Sequence, residues 1–552
     1  MEIYPGQDSE FSPFLKALNQ SRSRLDEKKD CIDPHWFLNS VVYCLYVDRF
    51  GGSFNGCAKR LDYLQDLGVN CLWLLPILDS PMLDEGFDVR DYFLIRKDLL
   101  DPSLQNPKPH HFHQFLNEAK KRGISIIFDL ALNHCSKEHP YFQEASKTKD
   151  SPYRDYFIWS RDAREFQECR VIFKGLVESN WTFHKDSEEY YFHRFYPHQP
   201  DWNYRNPRVL FYILSAMLHW KELGIHGYRM DAVPYLWKEE GTNCENLPTT
   251  HTILKFLRAC CDYVQPGTLL LAEACQPPQE VVHYFSGGDE VQGAYHFPLM
   301  PRIYLSLVQE STLPLKHILD PNQTPPIPEG TTWFTFLRCH DELTLEMVSP
   351  AERDELNQAL CRNPDWSFRE GEGISARLAD LLNFDTNQIL LAHSLLLTID
   401  GVPILYYGDE FGQRNQVESL AEFEKRTGQR DSRALVRGAL NWSSIEKDLS
   451  VEDSFSARIF YPLRAMLQVR TSQLGSLRGS PKFYQTKKEI CVYSRFLESG
   501  EEVLFLSNLS SSPQIFEPEE RIHGMELIRS EKLSSPLNLA PFQFYWIQLE
   551  KN

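Results

Sequence analysis

Short apolar runs recur along the chain, and each is followed by a stretch with helical periodicity. The runs are Val41–Val47, Asn70–Pro76, Ser125–Leu132, Gly227–Ala232, Leu269–Ala274, Val291–Phe297, Trp333–Leu337 and Val402–Tyr407. Several are nearly apolar throughout, as in parallel strands buried on both faces. The segments between them, among them Cys57–Leu67, His111–Arg122, Val209–Leu223, His251–Val264 and Asn387–Leu397, place apolar residues on one helical face. Eight such units predict an α/β chain folded as a closed (β/α)8 TIM barrel; an open doubly wound sheet is the alternative. Strand ends separate the two. Asp129, Asn133 and His134, then Arg229 and Asp231, Glu273, His340 and Asp341, and Asp409 and Glu410 all fall at C-terminal ends. A barrel brings those ends to one mouth, whereas an open sheet strings them along an edge.

The pattern breaks in three places. Residues 135–206 separate the third run from its helix and are rich in aromatic, charged and His residues, which predicts an inserted subdomain. Residues 342–385 follow the seventh run and predict a lid insertion. After a last helix near Ser456–Ser472, short alternating runs (Ile490–Ser494, Glu502–Leu506, Phe542–Leu549) predict a C-terminal all-β domain over 479–552. The predicted organisation is an N-terminal extension at 1–34, a catalytic barrel at 35–134 and 207–478 carrying both insertions, and a C-terminal β-sandwich.

Net charge narrows the partners. At −18, the chain lacks the cationic excess that nucleic acid or an anionic membrane demands. A neutral small molecule or a polysaccharide fits. The start Met-Glu-Ile-Tyr-Pro shows no export signal and no run is long enough to span a bilayer. The 13 cysteines include Cys31 and the neighbours Cys260 and Cys261, and have neither zinc nor thioredoxin spacing. An odd, scattered set suits reduced thiols, so a cytoplasmic location is expected. A homo-oligomer is compatible with all of this.

The strand-end residues have a specific chemical reading. Gly227-Tyr-Arg-Met-Asp231 places Arg229 and Asp231 on the same side of a strand, and a guanidinium beside Asp231 is expected to keep it ionised. Leu269-Leu-Leu-Ala-Glu273 delivers a carboxyl out of an apolar run, where the protonated form is favoured. An ionised carboxylate facing a protonated one suits retaining glycoside cleavage, with Asp231 as nucleophile and Glu273 as general acid. Asp341, beside His340, would stabilise positive charge on the sugar. A single buried Asp–Arg pair often only closes a barrel end; several strand ends with matched chemistry point to a site.

Taken together, these residues resemble the α-amylase superfamily, glycoside hydrolase family 13. Asp129-Leu-Ala-Leu-Asn-His134, Gly227-Tyr-Arg-Met-Asp231, Leu271-Ala-Glu273 and Cys339-His-Asp341 are similar to its four short regions, and Gln199-Pro-Asp201 to an extra region in the third loop. The resemblance assigns Asp231, Glu273 and Asp341 as nucleophile, acid/base and transition-state stabiliser. It implies sugar contacts at Asp88, His134, Gln199, Arg229, His340 and Phe87, and a salt bridge of Asp84 with Arg430 or Arg433 behind one glucose. Trp202, Tyr204 and Trp333 are further stacking candidates, although aromatics of this kind are mostly core. Within the family, Gly241-Thr-Asn-Cys-Glu-Asn-Leu-Pro248, His296–Arg302 and His340–Met347 are closest to the branch that interconverts maltose and trehalose.

Against that branch, Cys339 replaces Asn, Phe87 replaces Tyr, and Arg430–Trp442 departs from the usual loop. An α-glucosidase or α-amylase on the same carboxylates is the alternative activity, and a non-catalytic carbohydrate-binding chain is a third. No cofactor is required for the chemistry. Relatives bind a structural calcium, which the resemblance maps to Asn133, Asp201 and the carbonyls of Tyr235 and Leu236. The remaining ligand, a Glu, is replaced by Lys238, whose ammonium repels calcium. This predicts a weakened calcium site, or one whose charge Lys238 supplies.

Overall fold

The eight apolar runs form eight parallel strands: β1 Val42–Leu45, β2 Cys71–Leu74, β3 Ser125–Ala131, β4 Gly227–Asp231, β5 Leu269–Ala272, β6 Gly293–Tyr295, β7 Thr332–Phe336 and β8 Val402–Tyr406. In this computed structural model, which describes residues 3–28, 33–100, 110–475 and 477–550, they close as β1-β8-β7-β6-β5-β4-β3-β2. Cys31 lies outside the described residues. Register carries function here: Asp129 of β3 pairs with Arg229 of β4, and Ala131 with Asp231, so charged residues of adjacent strands share a level at the mouth. Two glycines let the strands approach. A Cβ on Gly227 would meet the Leu269 carbonyl at 2.5 Å, and one on Gly293 would meet the Phe334 ring at 2.5 Å.

Helices on the outer ring begin and end on local signals. Pro207–Leu223 starts with Asn206, whose side chain accepts from the Arg208 N–H, carries Pro207 at its first position, and stops at Gly224 in the left-handed region. Asp385 caps Thr386–Thr398 through the N–H groups of Asn387 and Gln388. The N-terminal residues add a helix, Asp8–Lys28, laid across this ring, with Phe14 stacked on Phe211 at 4.5 Å.

Residues 135–206 fold as a helix, Pro140–Lys147, and a three-stranded antiparallel sheet of Trp159–Ser160, Glu189–Phe192 and Trp181–His184. Residues 342–385 form a small three-stranded sheet with the helix Pro350–Leu360, which Ser349 and Glu352 close with a capping box. The C-terminal residues form a six-stranded antiparallel sheet and a two-stranded one. The larger sheet packs on the barrel: Trp546 donates to Ser394 Oγ at 2.8 Å and Tyr493 bonds Thr398 at 2.6 Å. Among the described residues no helix is long and apolar enough to cross a membrane, and all twelve described cysteines are free thiols.

Candidate active site

Arg229 organises the barrel mouth. Its guanidinium, 1% exposed, donates to Asp129 at 2.7 Å and to Asp231, and lies 3.3 Å from Glu273. Trp73 holds the second Asp129 oxygen at 2.8 Å. Ala232, directly after Asp231, adopts a left-handed conformation with φ of 57°, which costs about 1 kcal/mol or more in a non-glycine residue. That turn aims the Ala232 N–H at Glu273 Oε2, 2.9 Å away. Asp341 is held from three sides, by His340 at 3.1 Å, Arg433 at 3.0 Å and Arg437 at 3.1 Å. Its main chain is fixed as well: Arg338 donates to the Asp341 carbonyl at 2.6 Å, and Arg437 to the His340 carbonyl at 2.8 Å.

These surroundings separate the protonation of the carboxyls. Burial raises Glu273 to about 7; Arg229 opposes the rise, and Asp231 adds to it. Burial also favours the neutral form of Asp341, but His340, Arg433 and Arg437 outweigh it and hold this carboxylate well below its usual range. Asp231 departs from the sequence expectation. Burial raises it above the usual range, Arg229 offsets this only in part, and Asp341 pushes it further up. The reason is that one guanidinium is shared among three carboxyls.

Phe87, Asp84, His134, Asp231, Glu273, His340, Asp341 and Arg433 line a cavity of about 120 Å³. The Phe87 ring lies over His340 at 5.1 Å and 16°. Four residues expected around the sugar do not line the cavity: Arg229, described above, and three more. Asp88 is fully buried and accepts from Ser80 Oγ and from the N–H groups of Leu83 and Asp84, so it fixes the loop instead of facing the cavity. Gln199, also fully buried, stands behind the wall, donating to Asp84 at 3.0 Å and lying 3.4 Å from His134. Arg430 is half-exposed and pairs with Asp365 at 2.8 Å and Glu424 at 3.3 Å, away from the cavity. Arg433 takes the place expected of it, 3.7 Å from Asp84 and clamped by Asp431. Trp202 stacks on Phe157, and Tyr204 and Trp333 are core residues. Cys339 lines the cavity as an inert thiol, which burial pushes up to about 12.

The expected metal ligands enclose an ammonium. Lys238 Nζ donates to Asn133 Oδ1 at 2.7 Å and lies 2.6 Å from Asp201 Oδ2, with all three residues buried. Burial pulls Lys238 below the usual lysine range, and Asp201 opposes that. Leu236 is fully buried, and the Tyr235 side chain turns to the cavity. This donor set fits a lysine head group, not a divalent cation, because the charge is already placed between the two side-chain oxygens.

The rim was not visible in the sequence. Arg170 of the inserted subdomain reaches Glu346 of the 342–385 insertion at 3.3 Å, and Lys174 reaches Glu372 at 3.2 Å. Arg369, left-handed at φ of 49° and facing the cavity, joins Glu346 and Glu372 and lies 3.9 Å from Glu342. Burial raises the Glu342 carboxyl to about 7. Each residue sits in a long excursion without periodicity, and the pairs span up to about 200 residues, so no local signal marks them.

Residues 19–450 match the family description "Alpha amylase, catalytic domain". The chain belongs to the α-amylase family. It is 38% identical to the Mycobacterium tuberculosis protein named "Trehalose synthase/amylase TreS" across 94% of this chain and 91% of that protein. It is also 38% identical to the trehalose synthase of Pimelobacter sp., over 94% and 96% of the two chains. Among solved structures, the trehalulose synthase MutB from Pseudomonas mesoacidophila MX-45 superposes with a TM-score of 0.70 at 20% identity, covering 93% of this chain and 99% of that one. The latter shares the fold.

Proposed function

We propose that the protein is a retaining α-glucosyl-transferring enzyme that interconverts maltose and trehalose. The observation that carries this reading is a small cavity lined by Asp231, Glu273 and Asp341 and spanned at its rim by ion pairs between two insertions. A long polysaccharide would have to part those pairs, whereas a disaccharide can be enclosed by them. Both Asp231 and Glu273 contact one guanidinium, which supports the short carboxyl spacing of retaining enzymes, about 5–5.5 Å. The relatives named as trehalose synthases over nearly the whole chain support the substrate pair.

In this mechanism Asp231 attacks the anomeric carbon while Glu273 gives its proton to the glycosidic oxygen, and glucose is released inside the closed cavity. Asp341, held ionised by Arg433 and Arg437, stabilises the positive charge on the ring. The freed glucose turns and offers another hydroxyl. Glu273, now the base, takes that proton as the hydroxyl bonds to the same carbon and the bond to Asp231 breaks, freeing its carboxylate, so configuration is retained after two inversions. Water must stay out during the turn, which is the task of the rim. Lys238 supplies the charge that a structural calcium supplies in relatives. The odd, scattered set of cysteines, without disulfide-framework spacing, supports a cytoplasmic location.

Incubation with maltose, trehalose and soluble starch, followed by product analysis, tests the reading. Trehalose from maltose and maltose from trehalose are expected. Glucose alone would establish a hydrolase instead, and no turnover of any α-glucoside would leave a sugar-binding protein.

A further inference from the structure

Two cysteines outside the catalytic chemistry meet where the inserted subdomain touches the loop after β4. Cys169 belongs to the subdomain and Cys244 to the loop, and both are buried, 8% and 1% exposed. Both pack with Trp181 and Phe192 in a small apolar cluster separate from the barrel core. The Glu239 N–H donates to Cys244 Sγ at 3.4 Å, and Thr242 Oγ1 lies 3.8 Å away. The Cys169 thiol beside it draws Cys244 down to about 6, against the effect of burial, and the Glu239 and Thr242 donors help. The lowered Cys244 thiol is the more readily ionised of the two, and the thiolate is the form that reacts with oxidants.

The next residue along each segment makes a parallel contact. Arg170 pairs with Glu245 at 2.9 Å, and Arg194 holds the same Glu245 oxygen. Arg170 also lines the cavity and reaches Glu346. Whatever ties Cys169 to Cys244 thus restrains the residue that bridges the rim. The two thiols share one small buried cluster beside the Arg170–Glu245 pair, and a disulfide requires them to close to about 2 Å.

We propose that Cys169 and Cys244 are an oxidant-responsive thiol pair that closes to a disulfide with a small hydroperoxide, stapling the inserted subdomain to the β4 loop at the rim of the cavity. The Cys244 thiolate takes an oxygen from the peroxide, whose O–O bond breaks and which leaves as the alcohol or water. The Cys169 sulfur then displaces that oxygen as water, and the S–S bond forms. Two thiols are oxidised by two electrons and one hydroperoxide is reduced. With the staple in place Arg170 stays against Glu245, the rim opens more slowly, and turnover falls until a thiol reductant restores it.

The link itself is tested without substrate. Folded full-length protein is treated with hydrogen peroxide, or with diamide as a second oxidant, and alkylated. It is then digested without reduction and mapped by mass spectrometry. A peptide pair joined through Cys169 and Cys244, lighter by two hydrogens, is expected in the parent chain and in neither C169S nor C244S. Oxidation that leaves both thiols alkylatable, or that links other cysteines instead, would overturn the proposal. The consequence rests on the α-glucoside reading and is measured separately. Oxidised parent protein should lose turnover that dithiothreitol returns, while C169S keeps its turnover through the same treatment. A fully linked protein with unchanged turnover would overturn control of the rim.

Discussion

At the scale of single residues, the burden on Arg229 has a consequence in pH. One guanidinium faces Asp129, Asp231 and Glu273, so it lowers none of them as far as a dedicated partner would. Glu273 is raised to about 7, and in the proposed role of acid it must be protonated, so turnover should fall as pH rises through about 7. As the proposed nucleophile Asp231 must be ionised, and it is raised above the usual carboxylate range, so turnover should fall on the acid side earlier than an ordinary aspartate would dictate. A pH profile of kcat/KM is expected to be bell-shaped. Glu273→Gln should lose the basic limb along with about 10²–10⁴-fold of rate on unactivated leaving groups. A basic limb that survives this substitution would assign the acid elsewhere. Asp231 was legible as a site residue from its strand-end motif, but its protonation was not. A sequence shows that Arg229 is adjacent to Asp231, and does not show that two further carboxyls from neighbouring strands claim the same side chain.

Elements set the limits of legibility. All eight barrel strands stood out because strands buried on both faces are apolar throughout, and their ends stood out because polar residues there interrupt that run. Loops carry no such periodicity. Asp84, Asp88 and Gln199 were equally polar in the sequence, yet one faces the cavity, one holds its own loop and one stands behind the wall. Likewise Arg430 and Arg433 were interchangeable until the short helix Ser432–Val436, which includes Arg433 and not Arg430, turned only Arg433 inward. The rim joins two such loops, and its partly exposed pairs are open to screening by salt. Arg170→Ala or Glu346→Gln should therefore raise the share of maltose released as free glucose at the expense of trehalose, with added salt shifting the parent chain the same way. An unchanged glucose share in both variants would remove the rim from water exclusion. The loop after β4 carries Lys238. Its melting temperature effects should be specific: the parent chain should show no dependence on calcium or chelator. Lys238→Met leaves Asp201 buried without its partner and should cost about 3–5 kcal/mol. Lys238→Glu restores an oxygen donor, and calcium should raise its melting temperature. A chelator-sensitive parent chain would return the site to calcium.

Across the whole molecule, the catalytic barrel and the C-terminal sheet share one interior. The main core runs without a break from the barrel strands to Tyr493, Phe505 and Trp546, whereas the sheet's opposite face forms a separate small cluster around Val492, Leu504 and Ile547. Polar bonds stitch the same seam. Trp546 reaches Ser394, and Arg495 donates to the Thr398 and Ile399 carbonyls and pairs with Asp400, all at the C-terminal end of the helix that precedes β8. Strand β8 leads into Asp409, which pairs with Arg377, whose own guanidinium also holds the Tyr407 carbonyl beside the mouth. A sheet anchored there supports the strand that completes the barrel, so the two parts are expected to unfold together. Trp546→Ala removes a fully buried indole at the seam and should cost about 3–5 kcal/mol. Trp546→Phe keeps most of the apolar contact and loses the bond to Ser394, a cost of about 1 kcal/mol. In urea, loss of activity and loss of C-terminal structure, followed by hydrogen exchange at Val503–Asn508, should keep a common midpoint in both variants, moved furthest by Trp546→Ala. If that sheet exchanged freely while the barrel stayed active, the seam would be a contact between independent domains and not part of a shared core.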